Sequence, residues 1–131
     1  MGKYADRTDV PVIRSIDQIQ RRLKRYGADG FQYAEEAGRT GIGFKASGRM
    51  VRITMELPQD DEQGERQRWR AMLLVVSAKL ESIDTGIETF EEAFLAHIVV
   101  PGEDGNTTLG KILIPNLPRL IERGELPKLL E

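Results

Sequence analysis

Apolar positions along the chain follow two rhythms, one of about 3.6 residues and one of two, and their succession lays out the elements. Ile16, Ile19, Leu23 and Tyr26 recur at steps of 3, 4 and 3, which puts them on one stripe of a helix, and Gly27 stands where a left-handed stop belongs. Ser15-Ile16-Asp17-Gln18 has the form of a capping box, so this helix is predicted to start at Ser15. Residues 1–14, polar and interrupted by Pro11, read as an extended arm. Three alternating runs follow, Phe31–Ala34, Thr40–Lys45 and Arg49–Glu56, each with one apolar face. Glu36-Ala37-Gly38 and Ala46-Ser47-Gly48 separate them, and glycine supplies the positive φ that tight hairpins demand. The runs predict a three-stranded antiparallel meander whose open face shows Gly41, Gly43, Lys45, Met50, Arg52 and Thr54, ending at Leu57-Pro58.

The longest helical signal covers Glu65–Ser82. Trp69, Leu73, Val76, Leu80 and Ile83 form its inward stripe, and Met72 and Val75 are read as widening it. Thr89-Phe90-Glu91-Glu92 is a second capping box, opening a short helix to about Ala96 with Phe90, Ala93, Phe94 and Ile98 inward. His97–Pro101 predicts a small strand and Gly102–Asn106 a loop. Pro115, Pro118 and Pro127 divide the rest into short amphipathic pieces, with a helical turn or two from Thr108 and another over Pro118–Arg123, closed by Gly124. The expected fold is one α+β domain over residues 15–131: helix, three-stranded antiparallel meander, long helix, then a small helical C-terminal extension. Its core is placed in 15–98 and the extension in 99–131.

A length of 131 residues and a mass of 14.8 kDa suit one such domain. The absence of cysteine excludes disulfide scaffolds, thiolate metal sites and cysteine nucleophiles. No apolar run approaches the roughly 20 residues of a membrane span, and Met1–Asp9 has no apolar signal region, so a cytosolic protein is expected. The chemical inventory is thin. The single histidine, His97, lies between apolar neighbours, as a core or interface residue does, and no Gly-x-Ser-x-Gly elbow accompanies it. Asp60, Asp61, Glu62 and Glu65, and then Glu88, Glu91 and Glu92, are not spaced like a cation loop; the second group sits at a helix start, where the dipole favours acids. Gly41-Ile42-Gly43 falls inside a strand and lacks the rest of a phosphate loop. These features predict a non-enzymatic protein with no metal and no cofactor.

Charge changes the picture more than composition does. Residues 1–80 carry 15 Lys+Arg against 11 Asp+Glu, and residues 81–131 carry 4 against 10. A basic half steers a domain toward a polyanion, and the same split lets two copies associate head to tail. The first expectation is therefore a nucleic-acid-binding accessory protein. Its phosphate contacts would come from Arg21, Arg22 and Arg25 on the first helix, Lys45 and Arg52 on the sheet, and Arg66, Arg68 and Arg70 early in the long helix. That last trio opposes the helix dipole, which invites a ligand or acidic neighbours such as Asp60, Asp61 and Glu62. Tyr4, Tyr26 and Tyr33 are the candidate stacking residues, although Tyr26 and Tyr33 also fit the apolar stripes. The expectation rests on all eight cations converging on one surface. The second expectation is a protein-interaction module, either a self-assembling component or a host-directed inhibitor, acting through the acidic, proline-divided and Leu/Ile-rich tail from Ile98 to Glu131.

The order helix, three strands, helix over residues 15–83 resembles double-stranded-RNA-binding domains and, from the meander on, the centre of single-strand annealing proteins. The lysine-rich signature of the RNA binders is absent from the start of the second helix. Three longer segments, Ala5-Asp-Arg-Thr-Asp-Val-Pro-Val12, Arg66-Gln-Arg-Trp-Arg-Ala-Met-Leu-Leu-Val75 and Thr89-Phe-Glu-Glu-Ala-Phe-Leu-Ala-His-Ile98, with the closing Pro127-Lys-Leu-Leu130, resemble a family of small proteins encoded by bacteriophages and prophages. The resemblance implies a phage setting in the bacterial cytosol and transfers no catalytic residue.

Overall fold

The structure is a computed structural model and describes residues 10–122, 128 and 130. Helix α1 (Val12–Tyr26) leads into strands β1 (Asp29–Glu36), β2 (Arg39–Ala46) and β3 (Arg49–Glu56), followed by the long helix α2 (Glu62–Asp84). A short helix α3 (Phe90–Phe94), a 3₁₀ turn, a hairpin of β4 (Val99–Gly102) and β5 (Gly105–Thr108), and short helices α4 (Leu109–Leu113) and α5 (Leu117–Leu120) complete the described chain. The fold is α+β in the expected order.

The meander pairs antiparallel in the order β1-β2-β3. Its two connections are two-residue turns with both residues at positive φ, Ala37 with Gly38 and Ser47 with Gly48, the geometry whose twist matches the flanking strands. Register follows from alternation: Ile42, Phe44, Val51 and Ile53 point to one side and are buried. Against that side pack Ile16, Ile19 and Leu23 of α1, Trp69, Met72, Val76 and Leu80 of α2, and Phe90, Ala93 and Phe94 of α3. Phe94 lies edge-on to Phe44, with ring centroids 5.5 Å apart, and Tyr26 stacks on Phe90. The helices thus cover one face of the sheet.

Helix α1 begins at Val12, three residues before Ser15, with Pro11 at its N-cap, so the extended arm cannot run to residue 14. Ser15 is buried inside the helix and its hydroxyl has no hydrogen-bond partner among the described residues, so the first capping box does not form. Val12 lies four residues before Ile16 and packs on the core, which extends the apolar stripe upstream. The second box does form: the Thr89 hydroxyl accepts from the Glu92 amide and the Glu92 carboxylate accepts from the Thr89 amide. Helix α2 is longer than its stripe, opening at Glu62 with the Asp61 carboxylate accepting from the Gly64 amide at 2.8 Å. Val75 is exposed and belongs to the opposite side of α2. Tyr33 is half exposed, resting edge-on against Trp69. The loop expected at Gly102–Asn106 is the bend of a hairpin. Tyr4 and the closure at Gly124 lie outside the described residues.

Candidate functional site

The uncovered face of the sheet has a bare centre. Rungs across it read Gln32–Gly43–Arg52, Ala34–Gly41–Thr54 and Glu36–Arg39–Glu56, so the middle strand contributes no side chain at two consecutive outward positions. The β4–β5 hairpin and α4 stand beside β3, and Val99, Asn106 and Lys111 close a recess of about 490 Å³. Arg52 donates to the Asn106 carbonyl at 3.3 Å, while Arg39 donates to the Thr54 hydroxyl and pairs with Glu56 at 3.6 Å. The two glycines differ in cause. A Cβ at position 41 would collide with the Ile53 carbonyl, whereas one at position 43 would meet only ordinary contacts, the Val51 carbonyl at 3.5 Å and Gln32 Cγ at 3.7 Å. Strand packing explains Gly41 and does not explain Gly43.

The eight predicted cations fall into three separate groups. Lys45 and Arg52 lie on the open sheet face. Arg21, Arg22 and Arg25 lie on α1, behind the opposite face; Arg21 pairs with Asp17 at 3.0 Å, and half-buried Arg22 reaches Asp84 at 3.8 Å at the end of α2. Arg66, Arg68 and Arg70 belong to the beginning of α2. From Asp84 back to Arg68 is more than four turns of helix, about 24 Å at the helical rise. Arg68 donates to the Gly64 carbonyl at 3.2 Å, and Arg66 is also engaged. The helices and the sheet thus hold these guanidinium groups apart.

Two titratable groups among the described residues are clearly shifted by their surroundings. Burial, and then the Lys79 ammonium, hold His97 below the ordinary imidazole value. Lys79 itself donates to the Ala93 carbonyl at 2.6 Å and stands over the Phe94 ring. Glu91 is held below the usual carboxylate value by backbone hydrogen bonding in the first turn of α3 and by Arg49, whose Nε lies 3.2 Å from its carboxylate. Among the described residues no group of three His, Asp or Glu side chains is placed to hold a metal ion, and no helix is long and apolar enough to cross a membrane.

Exposed apolar side chains are concentrated in the C-terminal extension. Helix α4 is anchored where the Leu109 amide donates to the Ile98 carbonyl and where Gly110, buried, lets the helix lie against Ala96. Beyond that anchor the side chains leave the body of the fold. Ile112, Leu113 and Leu117 are exposed, as are Ile114 at 59%, Leu120 at 62% and Ile121 at 72%. Six large aliphatic side chains within ten residues face solvent. The density of Leu and Ile between prolines signalled this surface in the sequence; the anchor through Gly110 had no such signal.

No family model, no curated protein and no solved structure matches the chain.

Proposed function

We propose that this protein is a non-enzymatic interaction module that docks on a partner protein through its C-terminal extension. The observation that carries this is the exposed aliphatic series from Ile112 to Ile121. Burying one such side chain stabilises a complex by roughly 1.5–3 kcal/mol before ordering costs, so a surface of this kind is maintained at a solubility cost unless something covers it. We further propose a phage setting, in which the partner would be a host protein or a phage protein of the bacterial cytosol.

The test is co-purification from bacterial lysate, with quantitative mass spectrometry, of the full chain and of an Ile114→Asp/Leu120→Asp variant. Both substitutions fall at exposed positions, and circular dichroism checks that the fold is kept. A protein retained by the native chain and lost with the variant supports the reading. Equal recovery with both chains, or no specific recovery, contradicts it.

Nucleic-acid association remains a second reading, with one observation in its favour: Arg39, Lys45, Arg52 and Lys111 surround or border the glycine-floored recess on the open sheet face. The helix-borne arginines do not contribute to that surface. Under this reading, polarisation titrations with single- and double-stranded oligonucleotides give binding that weakens steeply with salt and is lost in Arg52→Glu/Lys111→Glu. Absence of binding at low salt removes it.

A further inference from the structure

We infer that two copies of this chain pair through the outward side of α2, antiparallel, with Arg70 of each copy meeting Glu81 of the other. The inward side of α2 is accounted for by Trp69, Met72, Val76 and Leu80. The opposite side of a helix lying on a small domain is ordinarily polar, yet Ala71, Leu74, Val75 and Ala78 recur there at i, i+3, i+4 and i+7. Leu74 is 59% exposed and Val75 is 44% exposed. A helix with an apolar stripe on both sides is built to be covered on both sides, and the described chain covers one. Its neighbours flank the second stripe without burying it: Arg22 of α1 reaches Asp84 on one flank, and on the other Lys79 turns away to the Ala93 carbonyl of α3.

Charge complementarity identifies the occupant as a second copy. Arg70 and Glu81 are three turns apart, so they lie on the same flank of the stripe, and both are exposed. Neither side chain makes an ion pair or a hydrogen bond among the described residues. Their midpoint falls within one residue of the centre of the stripe between Ala71 and Ala78. A two-fold axis through that centre therefore brings each Arg70 to the other copy's Glu81, the self-complementarity that an isologous interface requires. The small side chains at 71 and 78 let the helices approach closely at the ends, while Leu74 and Val75 pack across the axis. A parallel two-fold pairing would leave the two Arg70 side chains at one level on opposite sides of the seam, about 16 Å along the axis from either Glu81, so the charges also fix the direction. Of the three arginines early in α2, Arg70 alone then meets an acid of the neighbouring helix; Arg68 and Arg66 are engaged within their own chain.

This surface is separate from the C-terminal extension, so either inference can fail alone. The experiment is sedimentation equilibrium of the full chain over a wide concentration range, with circular dichroism to check folding. The native chain is expected at twice 14.8 kDa, and Leu74→Glu at the monomer mass. Arg70→Glu and Glu81→Arg each weaken the dimer about tenfold or more, and combining them restores it to within a few-fold. Ile114→Asp/Leu120→Asp leaves the dimer unchanged. A native monomer at the highest concentration, a dimer insensitive to Leu74→Glu, or a double charge exchange as weak as the single ones would overturn the inference.

Discussion

Ser15 sits one turn inside α1 with a buried hydroxyl that finds no partner among the described residues, although the residues around it spell a capping box. An unsatisfied buried hydroxyl costs about 1–3 kcal/mol and alanine is the better helix former, so Ser15→Ala is expected to raise stability by about 1 kcal/mol in urea denaturation. A true N-cap would lose about that much. The two sheet glycines give a paired expectation. Gly41→Ala forces a Cβ onto the Ile53 carbonyl and destabilises by about 2 kcal/mol. Gly43→Ala fits, and removing glycine from a strand is worth up to about 1 kcal/mol in the stabilising direction. Thermal or chemical unfolding of the two variants separates them. The alternation in the sequence placed both glycines on the open face; which of them the backbone itself requires depends on how closely β3 passes, and no sequence pattern carries that. His97 gives a pH dependence. Because burial and Lys79 disfavour its charged form, the unfolded chain binds the proton more readily. Stability from this group is complete above the ordinary value of 6.5 and falls as pH drops from there to the depressed folded value. Stability measured from about pH 8 to about pH 5 should fall less steeply in His97→Gln than in the native chain.

At the level of elements, two sequences of the same capping form had different outcomes, and the reason is local. Thr89 follows a chain reversal at Gly86 and its hydroxyl meets the Glu92 amide at 3.1 Å, so the box is the start of α3. At Ser15 the apolar stripe already runs one turn upstream through Val12, and Pro11 supplies a preset entry into the helix, so burial of Val12 outweighs the cap. Thr89→Ala is expected to cost about 1 kcal/mol of stability, against the gain at Ser15. Strands β2 and β3 were legible to within a residue because alternation and two glycine turns agree, whereas β1 runs two residues further at each end than its apolar alternation, through polar Asp29-Gly30 and Glu35-Glu36. Helix α2 was legible on its inward side only: Leu74 and Val75 carry the same apolar letters as core residues, and one residue of rotation about the axis decides that Val76 is buried and Val75 is not. The β4–β5 hairpin was half visible, since Gly105–Thr108 is polar and takes its strand form from pairing with Val99–Gly102.

Across the whole molecule, the eight cations predicted from the sequence are not gathered on one surface. The basic half of the sequence is divided between the open face of a sheet and the helices that cover its other face, and a layered fold of this kind keeps such groups apart. Exposed apolar surface survives that test better, because it is concentrated in consecutive residues of α4, the turn after it and α5. We therefore propose the C-terminal extension as the docking surface. Hydrogen exchange of the chain alone, and then in complex with the protein it retains from lysate, tests this most directly. The account predicts that complex formation slows exchange over residues 109–121 while the open sheet face stays unchanged. Protection confined to β1 to β3, or none over 109–121, would contradict it.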